Sequence, residues 1–516
     1  MWVLAVAIIG SSMIFIDANA VNVALPSMQR DLHASAAELQ WVVEGYSLFL
    51  SALILIGGSL GDIFGRRLIF VIGIALFACA SAGCAAAGSI GELEIARCIQ
   101  GVGGALATPG SLALISANFP DAERGRAIGT WSGFAAITAA LGPLLGGWLA
   151  QHASWRYVFL INLPLAVFVA IAALARVPES RDEDVDRTVD AGGASLATLG
   201  LGALTFGLIR LQTDVGDIPG LASCSCGILL LVAFFLWERR AKVPMIPTNV
   251  FANVTFSIAN AYTLLLYAAL GGSLFFVPFD LQNVLGYSPT AAGASLLPFI
   301  VIMFTLSRWS GGLVARIGAR LPLVTGSILA GIGFLAFARA SGGGSYWTTF
   351  FPAAVLLGFG GALFVAPLTT TVMEALDPAR AGLASGINNA VSRIAALVAI
   401  AALGIVLSTV LLAHFDGALG ALHLPQSTLS SLAGDRASLT TGRVPANLPE
   451  PDRARVDAAL RDAYTAGFRA VMLLSALLSF AAALVAWFGL SGGRDRRADA
   501  GRSRAAPAPA IPALPR

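Results

Sequence analysis

The chain has 516 residues, of which 57% are hydrophobic and only 12% charged, a balance outside the range of soluble globular proteins. Its formal charge of +3 hides a bias: the basic residues are almost all Arg, and Lys242 is the only Lys. A phosphate-binding P-loop needs Lys after Gly and before Ser or Thr. Lys242 lies between Ala241 and Val243, which excludes ATP hydrolysis by that route.

A bilayer core about 30 Å thick takes roughly 20 apolar residues per helix. Such stretches recur from end to end and predict spans over residues 3–26, 38–60, 68–88, 92–115, 127–150, 155–176, 191–211, 220–238, 253–279, 291–308, 321–339, 347–372, 384–412 and 466–490. The chain therefore reads as an all-α integral membrane protein with fourteen transmembrane helices. One set of polar ends carries Arg66, Arg67, Arg124, Arg126, Arg181, Arg187, Arg239, Arg240, Arg316, Arg320 and Arg380, and the opposite short loops carry little beyond Arg30. The positive-inside rule then places both termini in the cytoplasm and the protein in the cell (inner) membrane.

Ala18, Asn19 and Ala20 have the small-x-small form of a signal-peptide cleavage site. There is no basic n-region, however, and Asp17, Asn19 and Asn22 interrupt the apolar run, so this stretch reads as the first span. The five Cys (Cys79, Cys84, Cys98, Cys224, Cys226) fall within apolar stretches and read as packing residues, neither disulfides nor metal ligands.

The sequence repeats itself. Gly101, Gly103, Gly104, Ala105 and Leu106, followed by Pro109, return as Gly358, Gly360, Gly361, Ala362 and Leu363, followed by Pro367. At that same spacing Gly125 and Gly129 fall on Gly382 and Gly386. At a slightly shorter one Gly58, Leu60, Gly65 and Arg67 fall on Gly311, Leu313, Gly318 and Arg320. Spans 1 to 6 thus correspond to spans 9 to 14, with spans 7 and 8 inserted between them. The expected organisation is a six-helix bundle (1–177), an inserted helix pair with linkers (178–252), a second six-helix bundle (253–490, with an outer loop 413–464) and a disordered cytoplasmic tail (491–516). Transporters built from such halves bind substrate near the midplane and alternate access by rocking.

In chain order, the first polar candidates are Asp17 and Asn22 in span 1, and Glu44 and Tyr46 in span 2. Intramembrane acids are expensive and mark functional sites by default. At the end of span 2, Gly58, Leu60, Asp62, Gly65, Arg66 and Arg67 form a Gly-rich charged turn in which Asp62 can pair with an Arg across an interface. This run resembles the signature loop of the major facilitator superfamily, and the resemblance implies a latch between the two halves on the cytoplasmic side. A charged helix cap obeying the positive-inside rule would read the same way. In the second copy Ala315 stands where the Asp would be, which implies a weaker latch.

Span 4 carries Arg97 and Gln100. They resemble the superfamily's span-4 motif, whose Arg is implicated in proton transfer; a snorkelling or structural Arg is the alternative. Span 5 contains Gly129, Gly133, Gly142, Pro143, Gly146 and Gly147, which implies close helix packing with a bend. The run from Leu141 to Gly147 resembles the superfamily's antiporter motif, associated with export. Ala399 and Ile400 occupy its position in the second half. Span 1 from Phe15 to Pro26, the run from Trp155 to Pro164 with Asn162, Asp190 with its following glycines, and Tyr287, Ser288, Pro289, Gly293 and Pro298 resemble the fourteen-span drug/proton antiporter family. The resemblance covers almost the whole chain and weakens over 413–464 and after 491.

It implies a major facilitator fold and a proton-coupled exporter of lipophilic or amphiphilic small molecules, drugs among them. The expected partners are the bilayer, that substrate and protons, with no cofactor beyond the proton gradient, no metal and no nucleic acid; a periplasmic adaptor stays open. Asp17, Glu44 and Arg97 are the expected proton-coupling residues, Asp17 exchanging the proton and Arg97 modulating it. For Glu44, binding a cationic substrate, carrying the proton and bonding a neighbouring helix stay open together. Asn22, Tyr46, Gln100, Asn388 and Asn389 are expected around the substrate cavity, with Arg393 near the last two; helix-helix bonding is the alternative for the span 13 groups. An exporter of an endogenous metabolite or lipid, an uptake symporter, and a non-transporting receptor or scaffold remain as other readings. An enzyme is disfavoured, because the four His (His33, His152, His414, His423) lie in outer loops or at an outer span end and no HExxH or nucleophile-elbow motif occurs.

Overall fold

The structure is a computed structural model. It describes residues 2–490 apart from 182–189, 213, 243, 341–344, 377–380, 423, 435–438, 440–447, 449 and 451, so the expected disordered tail at 491–516 lies outside the described residues.

The first half runs through α1 (Trp2–Leu32), α2 (Ala36–Phe64), α3 (Arg66–Ala86), α4 (Ile90–Asn118), α5 (Asp121–His152), α6 (Arg156–Leu160) and α7 (Asn162–Arg176). An inserted pair follows, α8 (Ala191–Leu211) and α9 (Ile218–Glu238). The second half comprises α10 (Val254–Phe279), α11 (Pro289–Ala294), α12 (Leu297–Gly311), α13 (Leu313–Ile317), α14 (Arg320–Ala340), α15 (Phe350–Glu374), α16 (Ala381–Leu422), α17 (Gln426–Gly434) and α18 (Asp452–Gly489). Polar residues set the starts. Ser35 and Glu38 close a reciprocal capping box on α2, and Ser89, Asp190, Asp217 and Asn253 each accept a backbone N–H at the start of α4, α8, α9 and α10.

Among the described residues, twelve segments are long and apolar enough to cross a membrane. A thirteenth crosses if the two arms of α2, Ala36–Ile54 and Ile56–Phe64, bent by 50° from one another, are one span. The remaining expected span, 127–150, falls within the 32-residue helix α5. In the first half α1 packs on α5, α2 and α3 pack on α4, and α7 packs on α1 and α3. In the second half α10 packs on α16, α12 and α14 pack on α15, and α18 packs on α10 and α14. The sequence repeat is therefore a repeat of packing partners. The inserted α9 sits at the periphery: only 17% of its apolar window is buried, against 67% for α10. Its Ile228, Leu229, Val232 and Phe235 stay exposed, as a lipid-facing helix requires.

Hydrogen bonds joining the halves occur at the end opposite the arginine-rich turns. Gln282 donates to the Val23 carbonyl, Gln40 to the Ile400 carbonyl, and the Thr290 N–H to Gln151.

Three expectations change in detail. The sixth span runs as one helix, Arg156–Arg176, with a local irregularity at Ile161, which keeps helical backbone angles. The tenth is broken between α11 and α12, where Pro298 sits in the first turn of α12 and removes a backbone donor. The segment 413–464 is not a plain loop. The 42-residue α16, about 63 Å long at 1.5 Å per residue, continues past any bilayer, and α18 begins well outside it. There Asp452 pairs with Arg455 and takes a hydrogen bond from Thr428.

Candidate functional site

The most buried polar cluster lies inside the first half. Asp17 of α1 is 0% exposed and Arg97 of α4 is 1% exposed, and Arg97 Nη1 donates to Asp17 Oδ2 at 2.6 Å. The other carboxylate oxygen, Oδ1, accepts from Gln100 Nε2 at 3.0 Å and from Asn162 Nδ2 at 2.8 Å. Arg97 also donates through Nε to the Val42 carbonyl of α2 at 2.8 Å and through Nη1 to Gln100 Oε1 at 2.6 Å. Ser81 of α3 accepts from Gln100 at 2.8 Å and from Asn162 at 3.2 Å. The guanidinium carbon of Arg97 stands 4.2 Å from the centre of the Tyr46 ring, a cation–π contact on a desolvated face.

Five helices thus contribute to one charge pair. Burying two charges costs several kcal/mol per ion, and only multiple hydrogen bonds of this kind repay it. Asn162 takes part from the first turn of α7, its amide reaching across to α1 and α3. Ser81 and Asn162 were not singled out as site residues from the sequence. Asn162 offered a signal as a polar residue inside an apolar run, whereas a Ser in a helix offers none.

The antiporter-type run of α5 sits against the turn of α1 that carries Asp17. A side chain at Gly142 would meet the Ile16 carbonyl at 3.0 Å and the Asn19 side chain at 2.7 Å, and one at Gly146 would collide with the Ala20 backbone. On its other side the run meets the second half: Gly147 stands against the Pro289 carbonyl, and Gly293 against the Pro143 carbonyl. Small residues here let two helix backbones touch. Gly129 and Gly133 lie earlier on α5, and their surroundings fall outside the described residues.

The latch-type turn differs from the expected pairing across an interface. Asp62 pairs with Arg66 of its own turn at 2.8 Å. Arg67 turns to the chain that follows α7: its Nη1 donates to the Val177 carbonyl at 2.9 Å, while the Arg67 and Leu68 N–H groups donate to the Glu179 carboxylate at 2.9 and 3.1 Å. The reason is local, since the unpaired N–H groups at the start of α3 favour a carboxylate. Gly65, at φ 124°, makes the turn, and a side chain there would meet Glu179 at 2.8 Å. Gly58 lies against Pro109 of α4, and Leu60 is half-buried.

Of the remaining candidates, Glu44 is fully buried, and its carboxyl oxygens make no close hydrogen bond, with the Gln40 side chain one turn earlier as the donor group beside them. Gln100 belongs to the ion-pair cluster. The buried Asn22 Oδ1 and Tyr46 Oη lack partners among the described residues. Asn388 of α16 donates to Asn260 and Thr263 of α10 at 3.2 and 2.7 Å, a contact between helices of one half. Asn389 is exposed. Asp280 was missed from the sequence. It is 0% exposed, sits in a π-helical turn (Asp280–Val284) at the end of α10, and its oxygens lack hydrogen-bond partners among the described residues. Its signal was that of Asp17, an acid within an apolar run. No group of three or more metal-ligating side chains occurs among the described residues.

Residues 7–400 match the family model described as the Major Facilitator Superfamily. The chain is 32% identical over 500 residues to the tetracenomycin C resistance and export protein of Streptomyces glaucescens, covering 96% of this chain and 92% of that protein. It is 38% identical over 419 residues to the multidrug resistance protein Stp of Mycobacterium tuberculosis, covering 79% of this chain and 76% of that protein. Among solved structures it resembles an inward-facing, unoccupied bacterial homologue of the human lysosomal transporter Spinster, with a TM-score of 0.62 at 17% identity over 94% of this chain and 97% of that one. It also resembles a D-xylose–proton symporter, with a TM-score of 0.58 at 16% identity over 95% and 98%. These two likenesses concern the fold.

Proposed function

The chain belongs to the major facilitator superfamily, and from that premise we propose that it exports lipophilic or amphiphilic small molecules, drugs among them, in exchange for protons. It crosses the membrane many times, as its family does. Relatives named for antibiotic and multidrug resistance support the export of drugs. The arginine-rich turns support cytoplasmic termini, and the 32-residue α5 supports a fourteenth span. The repeated packing supports two halves at 1–177 and 253–490 that rock about the inserted pair.

The observation that carries the coupling is the Asp17–Arg97 pair. Asp17 is the one acid that Arg97, Gln100 and Asn162 converge on, so a proton arriving at Asp17 releases Arg97 and relaxes its contacts with α4 and α7. The antiporter-type glycines lie on that same turn of α1 and touch α11 of the second half, so a shift of α1 is felt at the interface. No cofactor enters this scheme; the proton gradient drives it.

The test is efflux of a fluorescent lipophilic cation from cells expressing the chain, with and without a protonophore, beside Asp17→Asn. Loss of efflux under both perturbations is expected. Full efflux from a well-expressed Asp17→Asn variant would remove Asp17 from the mechanism.

A further inference from the structure

The α2 helix has two opposed polar faces. Tyr46 points to α4 and the Arg97 guanidinium, so Glu44, two residues earlier, is turned about 200° to the far side at 3.6 residues per turn. That far side is a seam where α2 meets α16 of the second half and α8 of the inserted pair. Gln40, one turn before Glu44, donates to the Ile400 carbonyl of α16 at 3.0 Å and accepts from Gln212, at the end of α8, at 2.7 Å. Leu48, one turn after Glu44, packs with Leu201 of α8 and Leu397 of α16. Glu44 lies between these two fixed points.

Thr198, Leu201, Thr205 and Gln212 recur along α8 at spacings that line one helical face. The two helices run antiparallel. With Gln40 level with Gln212 and Leu48 level with Leu201, Glu44 comes nearest the level of Thr205, and Ser51 nearest that of Thr198. Glu44 and Thr205 are both 0% exposed. The Glu44 carboxyl oxygens make no close hydrogen bond, with Gln40 the donor group beside them, and the buried hydroxyls of Ser51, Thr198 and Thr205 lack hydrogen-bond partners among the described residues. Gln40 is a side-chain donor group beside Glu44 on its own helix, and it shares that amide with the Ile400 carbonyl while its oxygen accepts from Gln212. A single orphaned hydroxyl is a packing accident, but an acid and three hydroxyls in register along one seam form a continuous polar strip that calls for further partners.

We propose that the inserted helix pair builds, with α2 and α16, a second acid site in which Glu44 binds a proton exchanged through a file of water running past Thr205, Ser51 and Thr198. The charged groups on the surrounding helices are Arg393 of α16, within electrostatic reach of Tyr46, Arg210 of α8, which closes on Asp217, and Glu38 of α2, held in its capping box with Glu94 of α4 within electrostatic reach of it. One carboxylate with neutral hydroxyls is a poor cage for a divalent cation, which calls for several charged oxygens, and is suited to a proton. The site faces away from Asp17, so it stands apart from the coupling proposed there.

The experiment uses the purified full-length chain. Infrared difference spectra across a pH scan follow the C=O stretch of buried protonated carboxyls in wild type, Glu44→Gln and Asp17→Asn. The expected result is loss of one titrating band in Glu44→Gln and its retention in Asp17→Asn. Spectra of Glu44→Gln identical to wild type, or a band that answers to sodium and not to pH, overturn the proposal. Water is tested with Glu44 intact, in a variant whose five native Cys are replaced by Ser. Thr205→Cys is expected to react with a charged methanethiosulfonate reagent, while Ile228→Cys on the lipid-facing side of α9 does not. An unreactive Thr205→Cys overturns the water file, whatever the outcome for Asp17.

Discussion

Asp17 and Arg97, eighty positions apart in the chain, meet as an ion pair at 2.6 Å with side chains 0% and 1% exposed. Truncating one partner of such a pair strands the other charge in an apolar interior. Arg97→Ala is expected to lower stability by about 3–5 kcal/mol. Arg97→Lys restores the charge but not the Nε bond to Val42, and should fall between the two. Thermal unfolding of the purified protein reads this directly, and an Arg97→Ala midpoint equal to wild type would refute it.

Asn162 supplies one of two hydrogen bonds to Asp17 Oδ1. Hydrogen bonds to charged groups contribute about 1.5–3 kcal/mol, so Asn162→Leu should destabilise within that range. A double-mutant cycle with Asp17→Asn separates this bond from the repacking around α7. Strict additivity of the two changes would mean that the bond carries no energy.

Gly146→Val should push α5 away from α1, because any side chain there meets the Ala20 backbone and not a flexible tip. Overpacking of this kind costs about 1–3 kcal/mol. Since the same run touches Pro289 and Gly293 of the second half, efflux should fall further than the change in stability explains. Cellular efflux normalised to membrane-inserted protein checks it, and unchanged efflux would argue that α5 has no part in coupling the halves.

The end of the inserted pair is closed by Arg210 and Asp217, 2.7 Å apart at the surface. The Arg210 guanidinium is the main cause holding the Asp217 carboxyl below its ordinary value. A carboxyl depressed on folding stabilises above its unfolded pKa, about 3.9, and that contribution is lost as pH falls through the lower folded value. Asp217→Asn should therefore weaken this end slightly at neutral pH and make no difference in strong acid. Hydrogen exchange of the Gly216–Leu221 turn at both pH values measures it; a difference that persists in strong acid would point to another cause.

Much of the fold was legible in the chain because the bilayer dictates it. Apolar runs about twenty residues long have to be helices, since lipid offers the backbone no other partner. The repeated glycine and proline positions announced two equivalent halves, and the same helix pairings recur in each. Asp17 and Arg97 could be picked out singly, because a charge among apolar residues is conspicuous wherever it lies.

What joins them could not be read off. A carbonyl like that of Val42 is present at every residue, Ser81 is an ordinary helix residue, and Asn162 reaches Asp17 only because α7 packs on α1. Arg67, expected in a latch between the halves, turns to the chain after α7, where the open N–H groups at the start of α3 hold Glu179. The face on which Glu44 lies was settled by how α2 docks on α4, α8 and α16. Hydrophobicity and repeat period are local quantities, carried by the chain itself. Partner choice for a buried polar group depends on which helices are pressed together hundreds of residues apart, and only the packed structure decides that.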